Sequence, residues 1–179
     1  DGAAFFARNT DGCGATISCD NCRAYDSSWG FMTIDAAMYL NHCDANANRY
    51  DQNKFMYGGA GISYMGNASG NAADCVSRGA NCGLWVNANN CIGIKNTKLL
   101  QSPTGVYVTA GQAAKSYLLE NCDIYENTTG IGNGFFNRPV GEVRTSHIRN
   151  NKAGIINGGT ITMSENEVFD NNVGIENGD

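Results

Sequence analysis

A chain of 179 residues with a formal net charge of -5, 16% charged residues and no Lys- or Arg-rich run lacks the basic footprint of a nucleic-acid-binding protein. No apolar run reaches membrane-spanning length, and Asp1-Gly2-Ala3-Ala4-Phe5-Phe6 lacks the basic start of a signal peptide, so neither membrane insertion nor a compartment reads from targeting. With 23 Gly, 24 Asn and 2 Pro, and no sustained helical spacing of apolar residues, the composition suits short strands joined by left-handed or tightly turned residues.

In chain order, the first recognisable coil carries Cys19, Asn21, Cys22, Ala24, Ser27, Gly30 and Phe31. The next glycine-aliphatic pair is Gly61-Ile62, and the 31-residue gap from Gly30 implies a loop insertion around residues 36–60. Two registers fit there, one through Leu40, Cys43, Ala45 and Asn48, the other through Tyr50, Asn53 and Phe55. Cys75, Gly83 and Leu84 follow, then Leu99, Ser102, Gly105 and Val106. The clearest copies come last: Asn121-Cys122-Asp123-Ile124-Tyr125-Glu126-Asn127 before Gly130-Ile131, then Ser146 to Asn151 before Gly154-Ile155, then Asn166 to Asn171 before Gly174-Ile175. From Gly61 onward the key glycines are 22, 22, 25, 24 and 20 residues apart.

Such a period excludes propeller blades, which need roughly 40–45 residues, and the leucine framework of leucine-rich repeats is missing. The pattern predicts an all-β chain: a right-handed parallel β-helix, a solenoid of about seven coils, forming one domain over residues 1–179. The chain lacks an initiator Met and stops in mid-coil at Gly178-Asp179 with no polar cap, so a piece of a longer chain, or an end covered by another subunit, is expected.

In a parallel stack, equivalent residues lie about 4.8 Å apart. Eight positions before each key glycine stand Cys22, Cys75, Thr97, Cys122, Ser146 and Asn166, with Cys43 in one register, a small inward column. That placement favours stacked free thiols over disulfides or zinc for most of the 8 Cys, so no metal and no cofactor is expected. The residue before it is often Asn, suited to a left-handed bend. Ala24, Leu99, Ile124, Ile148 and Val168 form one core column. Phe31, Ile62, Leu84, Val106, Ile131, Ile155 and Ile175 form another.

Chemistry on a solenoid belongs to outward columns and loops. Near the C-terminal end the outward columns place Asp123, Tyr125, His147, Arg149, Glu167 and Phe169 on one strip. Asp123 and Glu167, two coils apart, would stand about 9.6 Å apart by backbone spacing, near the upper end for an inverting glycosidase. His147 could instead serve as a lyase base, with Arg144 or Arg149 neutralising a uronate. The candidate catalytic residues are therefore Asp123, Glu167 and His147, and the candidate sugar-binding residues Tyr125, Arg144, Arg149 and Phe169. An ordinary solvated face of alternating charge explains the same residues. The 36–60 segment, with Tyr39, His42, Asp44, Arg49, Tyr50, Asp51, Lys54 and Tyr57, is a second candidate. Of two glycosylation sequons, Asn67-Ala68-Ser69 and Asn127-Thr128-Thr129, the latter falls in the turn ladder and reads as structural.

The frame Asn121-Cys122-x-Ile124-x-x-Asn127-x-x-Gly130-Ile131 and its copies, over roughly residues 17–179, resemble the pectate-lyase-like superfamily of right-handed β-helices. The Gly/Asn-rich, aromatic-sprinkled character is most similar to bacteriophage tailspikes and surface-polysaccharide depolymerases. The resemblance implies binding, and often cleavage, of a polysaccharide on one outer face, a homotrimer, and an extracellular or virion-surface location. No catalytic residue of that family maps onto this chain. A non-catalytic fibre segment and a secreted pectate-lyase-type lyase are the alternatives, the last disfavoured by the scatter of acidic residues.

Overall fold

The computed structural model describes residues 2–47, 59–110, 116–134 and 138–178. Among them lie 22 strands, all in parallel sheets, and no helix. The first sheet stacks eight strands in the order β1 (Ala3–Arg8), β4 (Trp29–Ile34), β7 (Ala60–Gly66), β10 (Cys82–Ala88), β13 (Thr104–Ala110), β16 (Thr129–Asn133), β19 (Ala153–Asn157) and β22 (Val173–Asn177). The second stacks β2 (Thr16–Asp20), β5 (Ala37–Asn41), β8 (Ser69–Ala73), β11 (Ile92–Lys95), β14 (Tyr117–Glu120), β17 (Val140–Arg144) and β20 (Thr160–Ser164). The third stacks β3 (Arg23–Tyr25), β6 (Asp44–Asn46), β9 (Val76–Arg78), β12 (Lys98–Leu100), β15 (Asp123–Tyr125), β18 (His147–Arg149) and β21 (Glu167–Phe169). The chain is thus a parallel β-solenoid. Seven strands deep in two of its sheets, it makes about six turns from the bottom of a column to the top.

The register through Cys43 and Ala45 is the one the chain adopts, since Ala24 pairs with Ala45 and Ala45 with Ser77. Residues 37–46 of the expected insertion therefore form β5 and β6 of a regular coil. Residues 48–58, including Tyr50, Asn53 and Phe55 of the other register, lie outside the described residues.

Every key glycine is the second residue of a first-sheet strand. Their role is not the left-handed backbone that the composition suggests, because none of them has positive φ. The reason is close approach: a Cβ on Gly130 would lie 2.5 Å from the carbonyl oxygen of Gly154, and one on Gly154 2.5 Å from that of Gly174. The left-handed bends fall to other residues. Asn21, His42, Asp74, Asn96, Asn121, Thr145 and Glu165 form the corner between second and third sheets, with φ from 45° to 56°. A further corner, between third and first sheets, uses Asp26, Ala47, Gly79, Gln101, Glu126, Asn150 and Asp170, with φ from 49° to 64°. Asn and Asp adopt this region most easily; Thr, Glu and Ala are held there by the neighbouring coils.

Beside that second corner runs a buried amide ladder. Asn127 Nδ2 donates to the Leu99 carbonyl (3.0 Å) and to Asn151 Oδ1 (3.1 Å), and Asn151 Nδ2 donates to the Ile124 carbonyl (3.1 Å) and to Asn171 Oδ1 (3.0 Å). Asn151 Oδ1 also accepts the backbone N–H of Asn127 at 2.9 Å. Each amide oxygen thereby satisfies a corner N–H, of Ser102, Asn127 or Asn151, while each Nδ2 adds a donor to a mid-strand carbonyl.

Inside, Phe31, Ile62, Leu84, Val106, Ile131 and Ile155 are buried in one column and Ala24, Ala45, Leu99, Ile124 and Ile148 in another. Where the second column is small, aromatic rings enter: Phe5 stacks on Phe31 at 4.7 Å, and Tyr64 is fully buried with its hydroxyl donating to the Met38 carbonyl. Tyr117 fits because its neighbour one coil on is Gly141, where a Cβ would lie 2.1 Å from the ring. At the end of the first column Ile175 is 52% exposed, since no described coil stacks on it.

Asn151→Ala would leave the Asn127 N–H without its acceptor in the interior, at about 1–3 kcal/mol, and would remove three further side-chain hydrogen bonds. We expect a loss of about 2–4 kcal/mol on urea unfolding followed by circular dichroism. Gly130→Ala, which must displace the next coil, should destabilise at least as much as Asn151→Ala.

Candidate functional site

The third sheet's strands are three residues long, so the middle side chain enters the core and its two flanks face out. Pairing then sets Asp123, His147 and Glu167 in one outward row and Tyr125, Arg149 and Phe169 in the other. Six of the seven candidate residues share one face. Arg144 does not join them. It ends β17 in the second sheet, round the corner, and its guanidinium pairs with Glu142.

Within the strip, Arg149 holds Asp123 in a two-pronged grip: Nη2 donates to Oδ2 at 2.8 Å and Nε to Oδ1 at 3.1 Å. These side chains are only 25% (Asp123) and 29% (Arg149) exposed. The hydrogen bond to Asp123 pushes the Arg149 pKa further up, keeping it charged. The same guanidinium lies 4.3 Å from the centroid of the Tyr125 ring, a cation–π contact. Asp123 would have to break this fork before acting as an acid or base, and one face of Tyr125 is covered. At the far end, His147 Nε2 stands 3.5 Å from Glu167 Oε2, both well exposed, and Phe169 is 40% exposed. Similar ion pairs recur elsewhere: Arg78 with Asp44 at 2.9 Å, and Lys95 with Glu120 at 3.2 Å.

A second site lies on the outer face of the second sheet. Tyr39, in β5, projects outward and is 43% exposed. Its partners in the same row are Ser18 and Asn71, both short and exposed. Around the ring is a groove of about 390 Å³, lined also by Asp20, Asn41 and Ala73. Asn41 Nδ2 donates to Asp20 Oδ1 at 2.8 Å, and His42 Nδ1 stands 3.5 Å from the same oxygen. An aromatic platform bordered by a carboxylate and amides can take a sugar ring on its face and hydrogen-bond the hydroxyls. The sequence placed Tyr39, His42 and Asp44 together but assigned them to a loop. The alternation Met38-Tyr39-Leu40 is the signal that marks Tyr39 as the outward residue of a strand. Arg49, Tyr50, Asp51, Lys54 and Tyr57 lie outside the described residues.

The cysteines are arranged as a structural column. None of the eight is in a disulfide. Cys43, Cys75 and Cys122 are buried with Thr97 and Ser146 in the same inward row. Their thiols donate to backbone carbonyls, Cys43 to Asn41 and Cys75 to Ala73. Burial pushes the Cys75 thiol up to about 12 and the Cys19 and Cys122 thiols up to about 11. Among the described residues no group of three or more His, Cys, Asp and Glu side chains is placed to hold a metal ion. Of the two sequons, Asn127 is 4% exposed, and Asn67 is exposed at the turn after β7. No protein-family model matches the chain, and no curated protein matches its sequence.

Two predictions follow from the thiols. In the native protein a water-soluble thiol reagent should modify Cys13 and Cys91, both exposed, well before Cys43, Cys75 or Cys122, as mapped by peptide mass spectrometry. Stability should also fall in alkali. The folded state keeps the Cys75 proton up to about 12, whereas an unfolded thiol loses it near 8.5, so between those values the unfolded state binds fewer protons. The melting temperature should therefore be lower at about pH 10 than at about pH 8.

Proposed function

We propose that this chain is a polysaccharide-binding β-solenoid, acting outside the cell or on a virion surface in the manner of a tailspike, and that it recognises bacterial surface glycan. The Tyr39 groove carries this reading. Its ring is exposed, its neighbours Ser18 and Asn71 are short, and Asp20 and Asn41 stand at its rim. Stacked coils extend the outer face in one direction, which suits a long repetitive ligand. Binding is favoured over cleavage because Asp123, one of two candidate catalytic carboxylates, is gripped by Arg149. Hydrolysis is the second reading, favoured by the row Asp123, His147 and Glu167 on one face.

A panel of immobilised capsular and O-antigen polysaccharides, with reducing ends measured in parallel, separates the two. We expect retained binding without new reducing ends. Tyr39→Ala should weaken binding about tenfold, a loss of about 1.4 kcal/mol, with the circular dichroism spectrum unchanged. Wild-type affinity in Tyr39→Ala would refute the groove. Release of reducing ends without formation of an unsaturated uronate, lost in Asp123→Asn or Glu167→Gln, would establish hydrolysis instead.

A further inference from the structure

The first sheet differs from the other two in charge. Every strand of the third sheet carries a charged residue, as do four of the seven in the second. The eight strands of the first sheet hold only Arg8 and Glu176, in its bottom and top strands β1 and β22. Between them the outward row includes Met32, Trp85, Tyr107 and Ile156. Trp29 stacks on Trp85 with ring centroids 5.4 Å apart and planes 18° from parallel. Their strands are separated by β7, so the two rings lean together over it, and its outward residues Ala60 and Ser63 are fully buried.

The face is large enough to matter. Strands of 5 to 7 residues give a width of about 20 Å, and seven strand spacings give a height of about 34 Å. The footprint is about 680 Å², close to the roughly 800 Å² per partner of a standard interface.

We propose that this face binds a second copy of the chain, sheet against sheet, about a two-fold axis that runs the two stacks in opposite directions. A net charge of -5 opposes contact between the charged faces, whereas this one is uncharged across its middle. In the antiparallel arrangement β1 of each copy lies opposite β22 of the other; Glu176 falls opposite Phe6, one outward position along the strand from Arg8, so the long Arg8 side chain reaches it at both ends of the interface. The axis passes between the fourth and fifth strands, β10 and β13, so Trp85 of each copy packs against Tyr107 of the other. The interface then has an aromatic centre and a charged rim. A parallel dimer, or the three-fold arrangement that the resemblance implies, would instead set Arg8 against Arg8 and Glu176 against Glu176.

Sedimentation equilibrium of the 179-residue chain should give twice its 19.0 kDa mass. Glu176→Arg, on an exposed residue, should weaken the dimer at least about tenfold by replacing two attractions with two repulsions, and Arg8→Glu in the same chain should restore it. Tyr107→Glu should give a monomer with an unchanged circular dichroism spectrum. A monomer at all concentrations, a trimer, or a dimer indifferent to Glu176→Arg would overturn the proposal. Because Tyr39 lies on a different sheet, loss of the dimer with glycan binding intact would leave the groove reading standing.

Discussion

Coils that stack in parallel and in register hold each residue about 4.8 Å from its equivalents above and below, and this single distance governs what each column can contain. At Gly83, Gly105, Gly130 and Gly154 the carbonyl of the next coil comes so close that no Cβ fits. At the buried corner the same spacing lets one amide donate to the next, so asparagine is repeated. In the inward row it lets thiols and hydroxyls of similar size succeed one another. A column is thus a chain of steric and hydrogen-bonding agreements between neighbours.

The outer surface obeys the same spacing with different results on each side. On the third sheet it brings acids and bases into reach across coils, and they pair: Asp123 with Arg149, His147 with Glu167, Asp44 with Arg78. Such pairs are partly solvated and contribute little stability individually. They matter more by leaving few charged groups open to a ligand. On the second sheet the row through Ser18, Tyr39 and Asn71 has an aromatic residue flanked by short ones, so the ring projects. On the first sheet charge is confined to the ends of the stack.

Much of the fold was legible because a column is visible as a spacing. The offsets from Gly30 to Gly174 give the strands, the core rows and the thiol row. The corner through Asn21, Asn96 and Asn121 was legible too, since Asn tolerates the left-handed region; Thr145 and Glu165 share it only because the stack compels them. The second corner was obscure because Asp26, Ala47, Gln101 and Asn150 have no common chemistry, and their shared φ is imposed from outside the residue. The role of the glycines was misread for a related reason: composition reports what glycine permits, whereas the constraint here is a carbonyl from another coil. At the candidate site, membership of the strip followed from offsets. The grip of Arg149 on Asp123 did not, because it runs diagonally between columns, and no single-column reading contains it.

The close passage of Gly130 beneath Gly154 has a consequence for how the molecule forms. Each coil touches only the coils beside it, so order spreads along one dimension, as in a zipper. A stack of this kind has no distant contacts to bridge a fault. One coil that cannot seat on the next acts as a break in the line. It divides a cooperative array into two shorter ones, each with an additional open end and correspondingly less able to hold its outermost strands.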